Sequence, residues 1–472
     1  MSFDWTVFVH IGIIACALML ATFIRTRVKF FQRFLIPNAL TAGFILLPLY
    51  NFVFPLFGLG TEMLEALTYH LLSISFVAMS LRPSPKRRAK GSILATSVSV
   101  ISQYAIQAVV GLLLTLVFIR TIAPDLFHSF GFLMPLGFAQ GPGQAFSIGE
   151  GWKVAGIEDA GTIGLTFAAI GFIVSSFGGV FLINFGIRRG WMKKEQLTQM
   201  NKQGIKRGVY PRGSRLPVGS LLTTESEAID SMTLNGGIVL IAYLLAFLVL
   251  KGLGALLGLV GPAGERLATN LWGIAFIFAV LAGLAIKSFL KIVKSDHILD
   301  NQTLNRFSGF AVDLMVASAI AAISLSVVKH YWLPIIVISA VGTFLCLIQV
   351  PWFTSRIFRD HKFHRMLLIF GVSTGTLSTG LALLRVVDPD FETPVAGDYA
   401  YASGITFLLA IPFILSINLP VRAYETGDMK YFWMALGVSL AYLAFVAISY
   451  VLLAKGRAFA KASQIWHQDD DE

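Results

Sequence analysis

The sequence predicts an all-α polytopic membrane protein: two inverted repeats of five transmembrane helices, each with an interrupted Gly-rich segment, and one extra C-terminal helix. Three observations carry this reading: composition, the placement of charge, and two stretches of small polar residues inside otherwise apolar sequence. Of 472 residues, 56% are hydrophobic, 39 are Phe and only 13% are charged. A soluble chain would be about 25% charged, and several apolar runs here reach the roughly 20 residues that cross a bilayer as helix.

In chain order, spans are expected at 5–23, 34–54, 69–81, 92–119 and 162–187. The second half repeats this at 234–260, 271–286, 307–328, 331–352 and 400–417, and a last span at 431–453 stands alone. Asp4 precedes the first run and Arg25, Arg27 and Lys29 follow it. A secretion signal carries its charge the other way round, so this run is expected to be retained with its N-terminus outside. Most of the 37 Lys and Arg lie in 25–33, 82–90, 188–215, 287–306, 356–365 and 455–461. The positive-inside rule puts those segments in the cytoplasm, and leaves Arg120, Arg266 and Lys329 among the few on the other side. The net charge of +11 therefore reads as orientation rather than nucleic-acid binding. Cys16 and Cys346 fall inside apolar runs without ligand spacing, which fits two small core residues better than a disulfide or metal pair.

This charge pattern is consistent only if both small-residue stretches return to the side from which they start. GFAQGPGQAFSIGEG (137–151) would dip from outside, and RMLLIFGVSTGTLSTGLALLRVVDP (365–389) from the cytoplasm. Polar, helix-weakening backbone at membrane depth is tolerated only where protein or a watery cavity surrounds it. Gly137 and Gly371 are 234 residues apart, and the same shift carries each first-half span onto a second-half one. Five spans per half is an odd number, so the second repeat is inverted. The expected units are 1–187 with a re-entrant segment at 131–155, a basic cytoplasmic linker 188–231, and 232–420 with a re-entrant segment at 366–388. Residues 421–472 add a helix and an acidic cytoplasmic tail. These features imply a multi-pass membrane protein with its basic loops in the cytoplasm.

Candidate binding residues cluster in the two dips. In the second, Ser373, Thr374, Thr376, Ser378 and Thr379 supply hydroxyls, and Gly371, Gly375 and Gly380 let the backbone turn. Amides freed at a half-helix N-terminus suit a carboxylate, and freed carbonyls suit Na⁺. The same residues would also serve as a small-residue packing seam. In the first dip Gln140, Gly141, Gly143, Gln144 and Ser147 match them, and Pro142 interrupts the helix. Glu150, Lys153, Glu158 and Asp159 follow at the expected outer surface. Asp313 is the one carboxylate in the middle of a span. It could ligate Na⁺, as could Gly141 and Thr374, or carry a proton, or form a structural ion pair with Arg385. Arg385 could instead grip a substrate carboxylate. No phosphate loop, His-Glu-x-x-His or Gly-x-Ser-x-Gly is present, and no enzyme activity is expected.

IPNALTAGFILLPL (36–49), GFAQGPGQAF, TFAAIGF (166–172), the span around 308–324 and GVSTGTLSTGLALLRVVDP together resemble the bacterial sodium/glutamate symporters. The resemblance implies opposed re-entrant segments, a homodimer, Na⁺ as coupling ion, a small carboxylate as substrate, and alternating access of a transport domain against a scaffold. This chain departs from those symporters at Gln140, where they have His, and in a Ser/Thr run where they are richer in Gly. Asp313, Arg385 and the eleventh span have no counterpart in them.

Overall fold

The computed structural model describes residues 5–82, 90–191, 207–210, 212–214, 218–259, 261–388, 393–461 and 465–466. Within them the chain is helical, with no strand. Much of the basic loop 82–90, part of the linker 188–231 (192–206, 211 and 215–217) and the acidic tail lie outside the described residues.

Among the described residues, eleven helices are long and apolar enough to cross a membrane. They are α1 (Thr6–Arg27), α2 (Asn38–Phe57), α3 (Glu62–Leu81), α4 (Gly91–Thr121), α7 (Ala160–Arg188), α8 (Ser231–Gly258), α10 (Ala275–Ile292), α11 (Asn301–Ala321), α12 (Trp332–Ile357), α15 (Val395–Thr426) and α16 (Lys430–Ala454). Between α4 and α7 lie two half-length helices, α5 (Phe130–Gln140) and α6 (Pro142–Gly151). Between α12 and α15 lie a second such pair, α13 (Lys362–Thr374) and α14 (Leu377–Val387). A short helix, α9 (Pro262–Gly273), precedes α10. The protein is thus a polytopic helical membrane protein. Several outer helices wear their apolar side chains outward: only 22% of the α8 window and 17% of the α16 window is buried. A face carrying Leu240, Ile241, Leu244 and Leu248 to the surface suits lipid and not water.

Each expected span is matched by a helix, with shifts where polar residues blur the hydropathy. The third starts at Glu62 rather than 69, because Glu62, Glu65 and Thr68 depress hydropathy without breaking the helix. The seventh runs Ala275–Ile292 rather than 271–286, and α9 before it was not anticipated. Caps set two of the starts. Asp230 accepts from Met232 N (2.8 Å) at the head of α8. At the head of α11, Asp300 accepts from Thr303 N (2.8 Å) and from Leu221 N (3.2 Å).

Two cores result. In the smaller one, Val77, Ala78 and Leu81 of α3 meet Val239, Ala242 and Ala246 of α8, Ala279 of α10 and Leu304 of α11. The larger core holds both half-helix pairs, packed on α4, α7 and α12. The legs of the second pair touch through glycines: a Cβ on Gly371 would lie 2.6 Å from Gly380 Cα. Gly371→Val is therefore expected to splay α13 from α14 and cost about 1–3 kcal/mol, read as a lower melting temperature in detergent.

The chain after α16 folds back beneath α13. Lys362 Nζ donates to Ile465 O (2.9 Å) and Arg356 Nη2 to Ala460 O (2.8 Å). Trp466 stacks on Trp191 with ring centroids 4.1 Å apart and planes at 11°. These contacts bury Arg356 and Lys362, cations that seldom leave water unless partnered.

Candidate functional site

The first half-helix pair is interrupted at Gly141 and the second across Gly375 and Thr376. Gly141 has φ +91° and ψ 171°. A side chain almost never adopts that backbone, and Pro142 then restarts the helix at N1, where its missing N–H costs nothing. Thr376 restarts α14 through a capping box, in which its side chain accepts the Thr379 N–H and Thr379 Oγ1 accepts from Thr376 N (2.9 Å).

The two interruptions meet. A Cβ on Gly141 would lie 3.2 Å from Thr376 Cγ2 and 4.0 Å from Gly375 O. The N-termini of α6 and α14 and the C-termini of α5 and α13 are thereby gathered at one place inside the larger core. First-turn N–H groups and last-turn carbonyls lack partners within their own helices. The junction therefore offers partial positive charge from two helix heads and partial negative charge from two helix tails. It reaches the surface on the α14 side, where Thr376 is half-buried and Ser378 exposed.

Side chains sort into satisfied and unsatisfied. Thr374 donates back to Phe370 O (2.8 Å), and the single proton of Thr379 Oγ1 goes to Gly371 O or Thr376 O, each at 2.8 Å. Ser147 donates to Gly273 O (2.6 Å), which ties α6 to α9. Both amide atoms of Gln140, Gln144 Oε1 and Ser373 Oγ are buried with no hydrogen-bond partner. So is Oε1 of Gln107 on α4, whose Nε2 donates to Ser373 O (3.0 Å). Buried polar atoms are nearly always paired in proteins, so several unpaired ones at one junction single it out as the candidate site.

The structure brings Gln140, Gly141, Gly143, Gln144, Ser373, Thr374, Gly375, Thr376, Ser378 and Thr379 to the two tips. Arg385 is not among them: it is exposed on the last turn of α14, nine residues from Thr376, or about 13 Å along the helix. Asp313 is level with the junction, because Met315 packs where a Cβ on Gly143 would come within 2.9 Å of its sulfur. Two residues are about 200° around a helix, so Asp313 faces away from the tips. It lies instead on the stripe of Ala317 and Ile320, which meet Gly43 of α2. Asp313 is exposed, and no described residue gives it a hydrogen bond or ion pair, so the ion pair with Arg385, one of the readings left open above, is absent. Glu150 and Lys153 pair with each other at 2.6 Å, at the far end of α6.

Two contributors were missed in the sequence. Ser175 of α7 donates to Gly371 O (3.3 Å), and Gln107 reaches the second tip from α4. Gln107 was legible in principle, as the last of a run of polar residues spaced along one face of an apolar span.

The fold and junction define a polytopic helical membrane protein whose two interrupted helices touch tip to tip. No family model, curated protein or solved structure matches the chain.

Proposed function

We propose that the protein is a secondary active transporter, a Na⁺-coupled symporter of a small carboxylate, with glutamate as the first candidate. The observation that carries this reading is the contact between the two helix interruptions. It places two N-terminal ends, suited to a carboxylate, beside two C-terminal ends, suited to Na⁺, in a protein that otherwise buries apolar groups there. The buried amides of Gln140 and Gln144 would orient the substrate.

Spacing supports a repeat. Gly141 and Gly375 are separated by 234 residues, and the same shift takes α2 onto α10, α3 onto α11 and α7 onto α15. Inverted halves meeting at broken helices would let one part of the molecule rock against the other, in a bacterial cytoplasmic membrane and as a homodimer. Binding of both ligands at the tips would favour the state that moves, a shift set by their differential affinity. Radiolabelled glutamate uptake into proteoliposomes tests this, and saturable uptake driven by an inward Na⁺ gradient is expected. Uptake indifferent to Na⁺ would remove the coupling. Saturable uptake of a different dicarboxylate, with none of glutamate, would reassign the substrate. Flux without saturation would make the protein a channel, and binding without flux a sensor.

A further inference from the structure

Along α4, Thr96, Ser99, Gln103 and Gln107 recur every three or four residues, each 3% exposed or less. Such a stripe, buried inside a membrane span, is expensive unless it is satisfied. Its lower part is. Thr96 and Ser99 donate to carbonyls of their own helix (2.8 and 2.7 Å). Gln103 Nε2 donates to Gln349, its Oε1 accepts from Cys346 Sγ (3.2 Å), and Gln349 Nε2 donates to Ser102 Oγ (3.0 Å).

Satisfaction stops at the upper end, where the stripe meets α13. Gln107 Nε2 donates to Ser373 O (3.0 Å) and to Cys346 Sγ (3.3 Å), but Gln107 Oε1 accepts nothing. Turning the amide over would set Oε1 against the Ser373 carbonyl oxygen, so the bond fixes its orientation. Ser373 is 0% exposed, and its own hydroxyl is also unpartnered. Ser373 lies in the last turn of α13, whose final carbonyls form the negative end of that helix.

The geometry points to a Na⁺ site made by Gln107 Oε1, Ser373 Oγ and the carbonyl end of α13. This rests on the symport reading and names the coupling ion's site within it, apart from the helix heads that would take the carboxylate. Hard cations take oxygen ligands, and divalent ones call for carboxylates. Here every oxygen is neutral, so the site suits a monovalent ion.

The test uses the full-length protein in detergent, without carboxylate. Its melting temperature is followed as NaCl replaces choline chloride at constant ionic strength. Wild type is expected to gain stability with a definite Na⁺ midpoint. Ser373→Ala removes an atom that bonds to nothing and should fold normally, yet should raise that midpoint about tenfold or more; Gln107→Leu should do the same. Gln107→Glu puts a charged oxygen where Oε1 stands and should keep the Na⁺ response while adding one to Ca²⁺. A wild-type midpoint in Ser373→Ala, or a Gln107→Glu variant that responds to neither ion, would overturn the site. If wild-type uptake is still Na⁺-driven in that case, symport stands and only the site fails. A wild type indifferent to Na⁺ in both melting and uptake overturns site and coupling together.

Discussion

Arg365→Ala is expected to destabilise the protein by about 3–5 kcal/mol, the usual result of breaking a buried ion pair from one side. The Arg365 side chain is 2% exposed, and its Nη2 lies 2.8 Å from both Asp360 and Asp398. Its guanidinium also sits over the Phe358 ring, 4.9 Å from the centroid. Asp398, in the first turn of α15, would be left buried without its cation. Since Arg365 opens α13, its loss frees the second half-helix pair from α15, and the expected readout is a large fall in melting temperature in detergent. A fall no larger than that of a surface control would show the cluster to be dispensable.

The same cluster predicts a pH dependence. Burial pushes the Asp360 carboxyl up, but Arg365 outweighs it and holds it below the usual carboxylate range. A lowered folded-state value stabilises the protein above the unfolded value of about 3.9. That contribution is lost as pH falls through the lowered value. Melting should thus be insensitive to this group from neutral pH down to about 5 and weaken below about 4, with the dependence reduced in Asp360→Asn. The Asp360 side chain is 44% exposed, so solvent screens the pair and this contribution is small.

Gly141→Val should abolish most transport while leaving the protein folded. The φ of +91° with ψ near 171° is open to glycine alone, and forcing a side chain into it costs on the order of 1–3 kcal/mol. The added carbon would also press on Thr376 Cγ2 at 3.2 Å. With tenfold per 1.4 kcal/mol, roughly a 5- to 140-fold loss of the competent arrangement follows. Uptake per folded molecule measures it. Wild-type uptake by Gly141→Val would mean that the two tips need not meet.

Hydropathy and charge made the spans legible, because crossing a bilayer demands long apolar helices whatever they pack against. The interruptions were legible too, since Gly-Pro-Gly and a Gly/Ser/Thr run have no place on a lipid face. The roles of individual hydroxyls were not. At a helix end a Thr side chain competes for nearby backbone, and Thr374 and Thr379 are consumed that way while Ser373 is not. Two residues of helix separate facing the junction from facing away, and this removes Asp313 from it. The spacing of polar residues marks the stripe that ends at Gln107, but not that its partner is Ser373, 266 positions away.

The segment folded beneath α13 bears on how the protein is made. Arg356 and Lys362 emerge from the ribosome about a hundred residues before Ala460 and Ile465, whose carbonyls accept from them. Until then these two long-range bonds cannot form, and Arg356 has only its local acceptors, Trp352 O and Ser355 Oγ. The seating of this returning segment against α13 is thus among the last contacts of the described chain that can form.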